Sequence, residues 1–193
     1  MRVRQKKYIF IFTIEMNFPN ALSISRLIFI IPIIILYEVD YYLSSVLLFI
    51  VASVTDFFDG YYARKNNQAS EVGALLYLIS DKIFVSTLLI WMTFTFDSVL
   101  ILVSCILIVT RELSISYLRL FLVTKLNDFN DIKSDLAGKI KTSFQMIGLG
   151  LVLISPKMSD IFWIISLGIL TLSAFLSWYS FFSYINKRRI LGR

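Results

Sequence analysis

Three aspartates stand between Asp56 and Asp81, in the stretch DFFDGYYARKNNQASEVGALLYLISD of an otherwise oily chain. A carboxylate at the middle of a membrane-spanning helix costs about 2.5–3.5 kcal/mol, so acids in such a sequence mark candidate sites. On a helix advancing about 100° per residue, Asp56, Asp59, Gly60 and Ala63 fall in one narrow sector, with Arg64 at its edge. That face carries two carboxylates and two almost absent side chains. After a polar break, Gly73, Tyr77 and Asp81 recur at i, i+4 and i+8, again on one face. Two such faces packed together would set carboxylates around a gap that small residues keep open. Hard divalent cations need oxygen ligands from several directions, with room left for water and substrate phosphates, and this pattern meets that need.

The spaced string Asp56-x2-Asp59-Gly60-x2-Ala63-Arg64-x8-Gly73-x3-Tyr77-x3-Asp81 resembles the signature of the CDP-alcohol phosphatidyltransferases, matching seven of eight positions. The departure is Tyr77, which stands where the family has an aspartate that helps hold metal ions. The resemblance implies an all-α polytopic membrane protein, a six-transmembrane-helix bundle. It implies two Mg²⁺ or Mn²⁺ ions held by Asp56, Asp59 and Asp81, with Asp81 also the catalytic base that takes the proton of the acceptor hydroxyl. The CDP moiety of CDP-diacylglycerol would meet Asp56, Asp59, Gly60, Ala63, Arg64 and Gly73. Asn20 and Ser23 join that set because Asn20-x2-Ser23-x2-Arg26 resembles the family's Asn-x2-Thr-x2-Arg element. Without the resemblance, the same stripe reads as an interfacial anchor with Arg26 snorkelling to headgroups. A homodimer is implied by the resemblance only.

Composition sets the class of protein that must position these residues. The chain has 193 residues, 58% of them hydrophobic and 16% aromatic, above the roughly 45–50% apolar content of soluble domains. It belongs in a membrane. One cysteine, Cys105, excludes an internal disulfide and a Cys-cluster zinc site, and the absence of histidine removes the commonest general base and metal ligand. Chemistry must run on carboxylates, Lys, Arg or hydroxyls.

The apolar runs predict six helices, over about Ala21 to Leu36, Leu43 to Ala63, Gly73 to Phe94, Val99 to Phe121, Leu136 to Ile154 and Ile161 to Tyr184. Lys125 to Asp135 is the long polar link, expected as a loop or interfacial helix. Residues 1–15 read as a basic extension (Arg2, Arg4, Lys6, Lys7) with no visible cleavage site, Met16 being an equal candidate for the start, and residues 16–193 as one membrane domain. An even number of spans puts the cationic clusters, including Arg64, Lys65, Lys125, Lys133 and Lys187 to Arg189, on one side. Glu38, Asp40, Asp97, Lys157 and Asp160 fall on the other. By the positive-inside rule the basic side, with both termini, faces the cytoplasm of a bacterial-type inner membrane. Topology and anionic lipid account for the net charge of +6, so nucleic acid is not an expected partner.

A second constellation lies on the fourth and fifth helices, where Arg111, Glu112 and Arg119 interrupt apolar sequence and Lys139 and Lys141 open the string GKIKTSFQM. Arg119, Lys139 and Lys141 read as positive-inside anchors or as phosphate ligands; Arg111 and Glu112 read as a buried ion pair or as part of the same site. TRELSISYLR and GKIKTSFQM resemble the phosphatidylglycerophosphate synthase branch, which implies glycerol 3-phosphate as acceptor, its phosphate held by Arg111, Arg119, Lys139 and Lys141. Two other readings stand beside this one. A catalytically impaired paralogue, with Tyr77 in place of a metal-binding aspartate, would act as a membrane binding or assembly protein. A family member could also use another acceptor alcohol. A small transporter would carry polar residues to both faces, whereas these acids cluster near one.

Overall fold

In a computed structural model the backbone is described for residues 18–65, 71–126 and 136–191, and side chains for residues 21–55, 79–118 and 142–186. Among the described residues the chain forms six α-helices: α1 (Phe18–Glu38), α2 (Tyr42–Lys65), α3 (Glu71–Phe96), α4 (Val99–Leu126), α5 (Leu136–Ile154) and α6 (Asp160–Leu191). A short 3-10 turn, Ser155–Lys157, joins the last two. The expected basic extension lies outside the described residues.

Long runs of Leu, Ile and Phe make these helices, and acidic residues end them on the side away from the cationic clusters. Asp40, at φ 64°, takes the left-handed position after α1 that glycine more often fills. Its amide donates to the Tyr37 carbonyl at 3.0 Å and the Tyr41 amide to the Leu36 carbonyl at 2.9 Å, the paired bonds of a Schellman cap. Asp97, at φ 42°, sits between α3 and α4 in the same backbone region. On the cationic side two helices run further than their apolar sequence: α4 continues through Lys125 to Leu126, and α6 continues to Leu191. Lys125 is therefore part of α4 and not of the link that follows it. A helix leaving hydrocarbon keeps its own backbone hydrogen bonds, and Lys and Arg in its last turns suit its negative end.

Among the described residues, four stretches are long and apolar enough to cross a bilayer: Ala21–Glu38, Ile79–Phe96, Val99–Leu118 and Asp160–Asn186. Within the described side chains, α2 is apolar over Tyr42–Thr55. Oily side chains face outwards, as Phe94 (82% exposed), Ile28, Leu43 and Tyr179 do, which is the arrangement lipid demands. The interior mixes packed aliphatics, among them Ile33, Leu88, Met92, Ile108, Leu149 and Leu170, with buried serines at 45, 80, 104, 166 and 173. Small residues let helices approach where there is no hydrophobic drive between them, and hydroxyls tie them together. The Ser45 hydroxyl donates to the Ile33 carbonyl at 2.8 Å, joining α2 to α1. Helix α4 is joined to α6 by the Ser104–Thr171 hydroxyl pair at 3.2 Å and by the Trp178 indole donating to the Leu107 carbonyl at 2.9 Å.

Candidate active site

Helix α3 is the element on which the site is built. Its neighbours are α1 and α4, and it meets α2 through the stacked rings of Phe49 and Phe84, 5.8 Å apart. Phe84 is three residues beyond Asp81, so the two share a face of α3, and Phe49 is seven residues before Asp56 on α2. Asp81 and Val85, one turn apart, line a cavity of about 30 Å³ together with Lys82. Glu112 of α4 and Thr142 and Gln145 of α5 complete its wall. Three helices thus bring two carboxylates, an ammonium, a hydroxyl and a carboxamide to one point, with room for one or two water-sized groups.

The polar groups around this cavity are held in place from behind. The Lys82 ammonium donates to the Ser116 hydroxyl of α4, which in turn donates to the Glu112 carbonyl at 2.6 Å. Glu112 accepts from Arg111 Nη1 at 2.9 Å. Arg111, 7% exposed, also sends its Nε to the Ser177 carbonyl of α6 at 3.1 Å, binding α4 to α6. Position of α5 is set by a close approach to α6 at Gly148, where a Cβ would come within 3.0 Å of the Leu170 Cα. Among the described residues no group of three or more His, Cys, Asp or Glu side chains could hold a metal ion.

A profile of the family described as CDP-alcohol phosphatidyltransferase matches residues 16–185. The chain belongs to the CDP-alcohol phosphatidyltransferase family. A Rickettsia prowazekii protein named CDP-diacylglycerol--glycerol-3-phosphate 3-phosphatidyltransferase is 37% identical over 179 residues, covering 89% of this chain and 94% of that protein. Proteins of the same name from Rickettsia bellii and Salmonella choleraesuis are 37% and 28% identical, covering 89% and 91% of this chain and 94% and 96% of their own lengths. As a helical bundle of a CDP-alcohol phosphatidyltransferase, the chain is a multi-pass membrane protein.

Of the signature residues of this phosphatidyltransferase, Asp81 is described and lies at the cavity. Asp56, Asp59, Gly60, Ala63 and Arg64 fall on the last turns of α2, and Gly73 and Tyr77 on the first turns of α3; their side chains lie outside the described residues. The same holds for Asn20 on α1, Arg119 on α4, and Lys139 and Lys141 on α5. Ser23 and Arg26 are buried in the bundle, Arg26 completely, so Arg26 does not snorkel to the headgroups. Lys82, Ser116, Thr142 and Gln145 are the polar residues that charge and motif spacing did not single out. The available signal was a Thr–Gln pair at i, i+3 in a helix whose one other polar residue after Lys141 is Ser143.

Proposed function

We propose that this chain transfers the phosphatidyl group of CDP-diacylglycerol to glycerol 3-phosphate, giving phosphatidylglycerophosphate and CMP. The observation that carries the reading is Asp81: the last acid of the family signature is set beside a polar cavity at the junction of α3, α4 and α5. Relatives matching most of the chain bear the name of that activity.

In this reading the acceptor hydroxyl gives its proton to the Asp81 carboxylate as its oxygen bonds to the phosphorus next to the diacylglycerol, and the bond from that phosphorus to CMP breaks. It is one displacement with no covalent enzyme intermediate. Asp56, Asp59 and Asp81 would hold Mg²⁺ or Mn²⁺, and an all-carboxylate donor set fits a hard divalent cation. Two such ions, when bound, supply charge neutralisation at the diphosphate and at departing CMP. Gly60, Ala63 and Gly73 let the cytidine nucleotide approach backbone, and Arg64, with Asn20 and Ser23, offers it polar contacts. The acceptor phosphate falls to Arg111, Arg119, Lys139 and Lys141. Arg111 does this through whatever donor capacity is left by Glu112 and the Ser177 carbonyl. Asp56 and Tyr77 each stand seven residues from the Phe49–Phe84 contact, towards the α2–α3 connection, which supports their meeting at one level.

The cationic helix ends and both termini would face the cytoplasm of a bacterial inner membrane. Residues 16–193 would form one membrane domain, able to pair as a homodimer. Tyr77 favours a second reading, an impaired relative that binds without turning over, because a neutral phenol is a poor ligand for a hard cation.

The deciding experiment measures CMP released from CDP-diacylglycerol by the full chain in nanodiscs, with glycerol 3-phosphate and Mg²⁺. Asp81→Asn should lower the rate by roughly 10²-fold or more, the usual worth of a positioned base. Absence of CMP release from the unmutated chain, and its appearance in Tyr77→Asp, would establish the impaired relative instead.

A further inference from the structure

We infer that Gln145 determines acceptor specificity by reading the hydroxyl next to the one that attacks, so that the site takes a vicinal diol. The inference rests on the acceptor entering the cavity beside Asp81. Gln145 is 3% exposed, the one buried carboxamide among the described residues, in a helix where a leucine or methionine would pack without polar cost. Burying an amide is costly unless its polar atoms are hydrogen-bonded, and the cavity that Gln145 lines is where a ligand hydroxyl would meet them. What it lines is the cavity of about 30 Å³ that also holds Asp81, Lys82, Glu112 and Thr142, a space of the size of a hydroxyl group.

The chemistry of the wall sorts the groups. An alcohol hydroxyl both donates and accepts, whereas a carboxylate only accepts and an ammonium only donates. Asp81 suits the attacking hydroxyl, which must give up its proton. Glu112 and Lys82 are already engaged, with Arg111 and with Ser116. A carboxamide offers both functions from one plane: Oε1 accepts from the second hydroxyl and the Nε2 group donates to it. An acceptor with an ammonium in place of that hydroxyl would bring no lone pair for Nε2. Thr142, one turn before Gln145 on the same face, borders the same hydroxyl.

The test compares glycerol 3-phosphate with 3-hydroxypropyl phosphate, which lacks only the middle hydroxyl, in the nanodisc CMP-release assay with Mg²⁺. The unmutated chain should prefer glycerol 3-phosphate by roughly 10²-fold or more in kcat/KM, because a site built to hydrogen-bond a hydroxyl is left unpaired by its absence. Gln145→Met keeps length and volume and should bring that ratio near one, with the KM for CDP-diacylglycerol unchanged. Gln145→Glu keeps Oε1 and loses the donor, so an intermediate ratio is expected and serves if the Met variant does not fold. A ratio near one in the unmutated chain, or an undiminished ratio in Gln145→Met or Gln145→Glu, overturns the inference while leaving the transferase reading intact. No CMP release with either acceptor overturns both.

Discussion

Three glycines offer a graded test of how tightly α5 is pinned, and the expected energies follow from what an added methyl group would meet. At Gly148 a Cβ would lie 3.0 Å from the Leu170 Cα and 3.2 Å from its amide nitrogen, both backbone atoms of α6 that cannot turn aside. At Gly150 the nearest atom is Cε1 of the Phe49 ring at 3.3 Å, the far end of a side chain that can tilt. At Gly168 nothing lies within 4 Å. Each Gly→Ala change gains up to about 1 kcal/mol in helix propensity, so that gain largely cancels between the sites. Overpacking a closed contact costs about 1–3 kcal/mol, and only Gly148 must incur it in full. Gly168→Ala should therefore be neutral to stabilising by up to about 1 kcal/mol, Gly148→Ala less stable than Gly168→Ala by about 1–3 kcal/mol, and Gly150→Ala between them. Equilibrium unfolding in mixed micelles measures all three. Gly148 lies one turn from Gln145, so a shifted α5 should also slow CMP release, whereas Gly168→Ala should leave the rate unchanged. Equal stabilities for the Gly148 and Gly168 variants, within roughly 0.5 kcal/mol, would refute the claim that this contact fixes the helix.

A matched pair of serines should move in opposite directions in the same unfolding assay. Ser45→Ala removes the bond to the Ile33 carbonyl and should cost roughly 0.6 kcal/mol, whereas the buried Ser177 hydroxyl has no hydrogen-bond partner among the described residues, so Ser177→Ala should be neutral or stabilising. Arg111→Lys should destabilise the α4–α6 contact by about 1–3 kcal/mol, because one ammonium does not reproduce the separate Nε and Nη1 bonds to the Ser177 carbonyl and Glu112. Tyr77→Asp should lower the Mg²⁺ concentration that gives half-maximal CMP release, read from a metal titration; an unchanged midpoint counts against a metal role for that position.

Helix number, order and the ends near Glu38, Asp97 and Asp160 were readable from the sequence because polar breaks there coincide with real chain reversals. The opposite ends were not. Hydropathy stops at the edge of the bilayer, but α4 and α6 run on through Lys125 and through Lys187 to Arg189, since nothing in their backbones requires an end there. Arg26 shows the same limit in another form. Its spacing with Asn20 and Ser23 reads by itself as an anchor, the family resemblance points instead to a polar wall, and the packing of the helices around α1 puts it inside.

Gln145 was missed for a different physical reason. Charge attracts notice in an oily sequence because its burial is so expensive, while a carboxamide can pass as an ordinary helical residue. Its context is tertiary: α5 must be rotated so that Thr142 and Gln145 face α3, and that rotation is set by Gly148 against Leu170. The position of Asp81 follows the same economy. It lies within α3 (Glu71–Phe96), where a carboxylate is costly in apolar surroundings and is kept beside the polar groups of α4 and α5. A base placed among aliphatic side chains alone would be harder to keep charged, and one placed outside the bundle would lose the polar wall that Glu112, Thr142 and Gln145 provide.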